Sequence, residues 1–314
     1  MNKLVHYLGV TFKGICMGAA DVIPGVSGGT IAFLMGIYQE LINSIKSINL
    51  EAIKLLLSGR IGAFWSHING TFLVSLVSGI LISVFSLARL MKYLLEFHPI
   101  PLWSFFFGLI LASAVYILRE LDKWNFKNIL CLILGAAVAA YICLASPSAT
   151  PDAYWFIFLS GAIAICAMIL PGISGSFILL LMGKYAFIME SVTSLNIPVL
   201  ITFALGAAIG ILGFSHLLSW MLKKFYMQTI AVLSGCMIGS LIKVWPWKEQ
   251  VTSDIAEVAG ESLPIVDFPI LPSTFTEISG TPSLLGQSIG FAVLGLLVVL
   301  IIELVAGKKS AAVK

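Results

Sequence analysis

Two short stretches place the same chemistry inside an otherwise apolar chain. DVIPGVSGGTIAFLMGIY runs from Asp21, and LPGISGSFILLLMGKY runs from Leu170. Pro24 lacks a backbone N–H and disfavours helix in the residue before it, while Gly25 tolerates positive φ. A helix arriving at this point must therefore stop near Ile23. Ser27 is a natural cap for a second arm running on through Thr30 and Phe33. Such an arm begins with unpaired N–H groups at the positive end of its dipole. Gly28 and Gly29 present no Cβ, so a phosphate-sized anion could approach the backbone, with the Ser27 and Thr30 hydroxyls adding donors. Gly172, Ser174, Gly175 and Ser176 repeat the set. Small residues also let helices pack closely, but packing alone does not need the prolines.

Ionisable residues within the apolar runs carry two readings each. Asp21 closes the first arm, where the dipole disfavours an anion, so it calls for a proton, a cation or N–H donors from the second arm. It is either a coupling or gating carboxyl or a cap that pins the hairpin tip. Arg89 offers a planar fork of donors for phosphate, or snorkels to the outer interface. Its repeat partner, His216, is grouped with the coupling residues. Glu40 and Glu190 stand near the outer ends of the second arms, as gating groups or as solvated interface carboxyls. Lys184 is expected at the interface.

These residues need a membrane scaffold. The 314-residue chain is 59% hydrophobic and 11% charged, against about 25% charged in soluble domains. Its mean hydropathy is +1.05. Six stretches can each cross a bilayer: 71–94, 101–118, 128–146, 198–222, 227–245 and 285–306. Lys13 interrupts the first apolar run, so residues 1–20 are expected to be retained rather than cleaved as a leader. The five Cys lack paired spacing and read as packing thiols, and the four His show no ligand spacing, so neither metal nor cofactor is expected. No basic stripe points to nucleic acid.

The chain repeats itself. Pro24–Tyr38 aligns with Pro171–Tyr185 with nine identities in 15 positions, and Gly79, Gly108 and Ser113 match Gly206, Gly235 and Ser240. The expected fold is a single all-α polytopic membrane domain over 1–314, made of two inverted repeats. Each repeat is one re-entrant broken-helix hairpin plus three transmembrane helices. The first covers 1–147, with an interfacial insert at about 47–67. The second covers 153–307, with an extracytoplasmic loop at about 247–283. Lys and Arg positions put both termini in the cytoplasm. Most Trp lie near span ends and read as an aromatic belt.

The two broken motifs, together with LSGCMIGSLIKVWP from Leu233, resemble the PopT family of polyprenyl-phosphate transporters over about residues 5–306. That resemblance implies a flippase returning undecaprenyl phosphate from the outer to the inner leaflet of the bacterial cytoplasmic membrane, for lipid-carrier recycling. It implies alternating access around a phosphate held by the two tips, with no catalytic step. The partners would be the polyprenyl phosphate, surrounding membrane lipids and a coupling proton or sodium ion. Two rival readings remain. A small-anion exchanger or channel could use the same dipole-lined tips. An undecaprenyl-pyrophosphate phosphatase has a related motif, but Gly28 stands where its Arg would stabilise transition-state charge.

Overall fold

The computed structural model describes residues 3–21, 27–119, 121, 124–145, 150–251 and 266–311. Gly25 falls outside these, as does the side chain of Arg89. The chain is an all-α, multi-pass membrane protein. Helix α1 (Lys3–Asp21) is followed by α2 (Gly28–Leu34), α3 (Tyr38–Lys46), α4 (Leu50–Leu57), α5 (Ile61–His67), α6 (Gly70–Phe97), α7 (Pro99–Leu118) and α8 (Phe126–Leu144). The second half runs α9 (Tyr154–Ile169), α10 (Gly175–Leu181), α11 (Tyr185–Thr193), α12 (Ile197–Lys224) and α13 (Tyr226–Ser240), then a short ribbon, α14 (Pro272–Ser279) and α15 (Leu285–Ala311). Helices α7, α8 and α12 are each long and apolar enough to cross a membrane unaided. At about 1.5 Å per residue, α13 with its 15 residues is shorter than the span expected over 227–245.

Both motif segments fold back on themselves. Lys13 Nζ donates to the Met35 carbonyl at 2.8 Å, so the end of α2 lies beside the middle of α1. A Cβ built on Gly175 would lie 2.6 Å from the Ala164 carbonyl oxygen, placing the start of α10 against α9. The returning arms are shorter than the sequence suggested. Each ends after seven residues, at Gly36 and Gly183, which take φ of +68° and +62°. The chain then turns into a separate helix, with 113° between α10 and α11. Sequence reading merges this second break into one long arm.

The body is assembled from four helix pairs in which glycine brings backbones into contact. Gly14 and Gly79 join α1 to α6, and Gly161 and Gly206 join α9 to α12. Gly108 and Gly295 join α7 to α15, and Gly135 and Gly235 join α8 to α13. The contacts recur between the halves: Gly79 meets the Thr11 carbonyl as Gly206 meets that of Phe158, and Gly14 meets Leu76 as Gly161 meets Phe203. Each pair runs parallel, since 14 lies by 76 and 18 by 80, 158 by 206 and 162 by 210, 104 by 288 and 108 by 292, and 132 by 235 and 136 by 239. The first two pairs form within one half. The last two are exchanged, because α15 of the second half packs on α7 of the first, while α8 of the first half packs on α13 of the second.

The all-α expectation needs one amendment. Lys248–Val251 (β1) pairs antiparallel with Val266–Pro269 (β2) in the segment expected to be a plain loop. Trp245 and Trp247 fasten this region to the body, donating from Nε1 to the carbonyls of Ile270 and Ser283, both at 2.8 Å. Trp247 is buried, so these two rings serve packing rather than a belt.

Glycine contacts make a sharp stability prediction. A Cβ on Gly206 would sit 1.9 Å from the Phe158 carbonyl oxygen, whereas one on Gly213 of the same helix meets nothing within 4 Å. Gly206→Ala is expected to destabilise by about 1–3 kcal/mol through overpacking. Gly213→Ala should be neutral or stabilise by up to about 1 kcal/mol through helix propensity. Thermal unfolding of the two variants in the same detergent checks the opposite signs.

Candidate functional site

The two helix breaks meet, and each partners the other's backbone. Thr30 Oγ1, fully buried on α2, accepts from the Gly172 N–H at 2.9 Å. Ser27 Oγ lies 3.2 Å from the Met168 carbonyl oxygen and 3.3 Å from that of Leu170. Tyr38, at the start of α3, donates its hydroxyl to the Ile169 carbonyl at 3.1 Å. The carbonyls left open by the end of α9 are thereby filled from the first half. Gly172 can form its turn because it takes φ of +88°, with Ser240 of α13 alongside.

At the first tip Ser27 is the N-cap, accepting from the Gly29 N–H at 3.1 Å. Asp21 Oδ1 accepts from the Gly28 N–H at 2.7 Å. The carboxylate that ends α1 thus takes the donors at the start of α2, one of the partners its position called for. The Cβ-free space at both glycines is filled by protein. A methyl on Gly28 would strike the Asp21 carboxylate at 2.5 Å, and one on Gly29 the Ile169 carbonyl oxygen at 2.6 Å. Ser27, Gly28, Gly29 and Thr30 are all buried, so this is a sealed arrangement.

The second tip is less equipped. Ser174 caps α10 without a side-chain bond to its backbone. It instead shares a hydrogen bond with Ser176, their Oγ atoms 2.8 Å apart. Gly175 is pressed against α9. The position matching Asp21 is Met168, which supplies a backbone carbonyl to Ser27 rather than a carboxylate.

Other residues expected at the site lie elsewhere. Glu40 is exposed on α3, separate from the returning arm, and accepts from Asn69 Nδ2 at 3.0 Å at the start of α6. Glu190 is exposed on α11. His216 faces outward from α12, with Nδ1 2.8 Å from the Leu212 carbonyl oxygen. Lys184, expected at an interface, is 2% exposed. It pairs with Asp152 and donates to the Thr150 carbonyl at 2.8 Å, between the Phe156 and Phe187 rings. Tyr38 was a missed site residue, although its identity with Tyr185 closes both motifs. Lys243 was missed as well. Its Nζ lies 4.4 Å from the centroid of the Phe177 ring in the first turn of α10, one helical turn beyond Ser240.

A family model described as VCA0040-like, undecaprenyl phosphate translocase-like, matches residues 17–262. The chain belongs to this family. A polyprenyl-phosphate transporter of Vibrio cholerae is 45% identical over 282 residues, covering 90% of this chain and 91% of that protein. A polyprenyl-phosphate transporter of Staphylococcus aureus is 37% identical over 252 residues, covering 74% and 84%. No solved structure matches the chain. The region matching the undecaprenyl phosphate translocase-like family takes in both breaks and all their mutual contacts.

Thr30→Val keeps the shape but removes the acceptor for Gly172. Leaving that buried N–H unpaired should cost about 1–3 kcal/mol, while Thr30→Ser should recover most of it. Thermal unfolding of both variants in detergent measures the difference.

Proposed function

We propose that this protein is a flippase for a polyprenyl phosphate, undecaprenyl phosphate in particular. It would return the carrier from the outer to the inner leaflet of the bacterial cytoplasmic membrane without hydrolysing it. The observation that carries this reading is the tip-to-tip meeting of two broken helices whose donors and acceptors satisfy each other. Interrupted backbone at membrane depth is tolerated only in protein or beside a polar cavity, and transporters place such breaks at the substrate site. The family and the names of the two relatives supply the substrate class.

The two halves are read as inverted repeats. In support, α7 runs parallel to α15, and α8 parallel to α13. With only a short connector between them, α7 and α8 are read as running oppositely, and α7 and its repeat counterpart α13 would then do so too. The termini are read as cytoplasmic and residues 247–283 as extracytoplasmic. Alternating access would part the two tips. The N–H groups of Gly28 and Gly29, with the hydroxyls of Ser27, Thr30, Ser174 and Ser176, would then turn from each other and from Asp21 to the phosphate. A phosphate is far too costly to move bare through hydrocarbon, and these groups replace its water. The phosphate and the Asp21 carboxylate compete for the Gly28 N–H, so protonation or cation pairing of Asp21 would couple loading to a proton or sodium ion. Arg89 is retained as a clamp, and Glu40, Glu190 and His216 as distant gating groups.

Reconstitution tests the reading. Wild type should move polyprenyl phosphate between leaflets of pure lipid vesicles and release no phosphate from the pyrophosphate form. Gly28→Leu fills the tip and should lower the initial rate by roughly tenfold or more, the worth of one or two charge-assisted hydrogen bonds. Asp21→Asn keeps an acceptor for Gly28 and should fold, but lose the dependence of rate on pH or ion gradient. Wild-type rates in Gly28→Leu would overturn the site. Anion flux in vesicles with no polyprenyl lipid would favour the channel reading instead.

A further inference from the structure

An open groove of about 660 Å³ runs beside the first tip, between the α1–α2 hairpin and the exchanged pair α7–α15. Ala20 and Ile31 line it. Ala20 directly precedes Asp21, and Ile31 directly follows Thr30, so the groove begins where the proposed head-group contacts end. Phe105 and Phe106 of α7 and Phe291 and Leu294 of α15 form the facing wall. Phe291 is 41% and Leu294 47% exposed, so a chain still anchored in lipid can enter sideways. His98 and Gln287 alone bring polar side chains with oxygen or nitrogen, at the α6–α7 corner and in the first turn of α15.

We propose that this groove holds the isoprenoid chain of the polyprenyl phosphate, over the units nearest the phosphate. This rests on the flippase reading and adds a second binding element to it. Three observations select an isoprenoid. The groove is lined by Ala20 and Ile31, the chain neighbours of Asp21 and Thr30, which puts its end beside the tip where a lipid with its head at Gly28 would enter. Its volume lies within the roughly 300–1,000 Å³ of ordinary ligand pockets, room for a stretch of chain while the remainder stays in lipid. Its aromatic wall offers ring faces and edges to flat, branched trisubstituted alkenes, and such contacts add to simple area burial. The groove is also a reason for the exchange of helices. α15 closes over α7 through Gly108 and Gly295, so the tail lies between parts of both halves and is felt by their relative movement.

The probe is farnesyl phosphate carrying a diazirine on its distal isoprene unit, irradiated with the full-length protein in lipid nanodiscs. Label is expected on residues 102–109 and 287–298, displaced by undecaprenyl phosphate and not by excess phosphatidylglycerol. Ala19→Trp and Leu294→Trp fill the groove from opposite walls. Each should raise the half-saturating undecaprenyl phosphate concentration about tenfold, the worth of roughly two buried methylenes. Ile289→Trp lies on α15 away from the groove and should change nothing. Label confined to bulk-lipid-facing positions, or equal displacement by phosphatidylglycerol, would overturn the proposal, as would unchanged half-saturation in both filled variants. Failure of wild type to transport, with groove labelling intact, would count against the flippase reading alone.

Discussion

A helix broken within a membrane leaves backbone donors and acceptors that water cannot satisfy, and everything in this fold answers that constraint. Each break finds its partners in the other. Gly172 donates to Thr30, Ser27 faces the carbonyls of Met168 and Leu170, and Tyr38 reaches Ile169. The one strong anion at the junction, Asp21, takes the Gly28 N–H. Such a junction is stable while closed and expensive to open empty, because every parted group loses a partner in a medium of low dielectric. A guest that opens it must bring acceptors of its own. A phosphate brings several, and a chloride or a lipid tail alone does not offer the same replacement.

The surrounding helices make that junction a place where two bodies meet. Four parallel pairs are locked by glycines whose missing Cβ atoms let carbonyls approach backbone, the close approach that substitutes for hydrophobic driving force between helices in lipid. Pairs α1–α6 and α9–α12 carry the hairpins, one in each half. Pairs α7–α15 and α8–α13 tie the halves together by exchange. On the proposed mechanism the locked pairs would move as units, and relative motion would concentrate where small polar contacts, not glycine seams, hold the pieces. Those contacts are at the tips.

Much of this was legible in residues 21–38 and 170–185. Proline and glycine interrupt an apolar run twice at matched places, and Ser27 reads from its position as the cap that its bond from Gly29 makes it. The matches of Gly79 with Gly206 and of Gly108 with Gly235 mark the repeat in the sequence, but neither the seams they make nor which helices they join. Partner choice was invisible because it depends on the three-dimensional exchange of α8 and α15, and a periodic pattern does not state its neighbour. The second break at Gly36 and Gly183 is not legible because neither glycine has a proline beside it, and only positive φ reveals the turn. Lys184 misled for another reason. A charge in a turn usually reaches solvent, but here Asp152 and two rings hold it inside.

The central claim is that the tips must separate for the lipid head to pass. On a background lacking the five native cysteines, Ser27→Cys and Leu170→Cys would place thiols on the two sides of the junction. Oxidising that pair in reconstituted vesicles should stop polyprenyl phosphate movement, and reduction should restore it. Transport continuing at full rate with the two breaks covalently joined would contradict the mechanism outright.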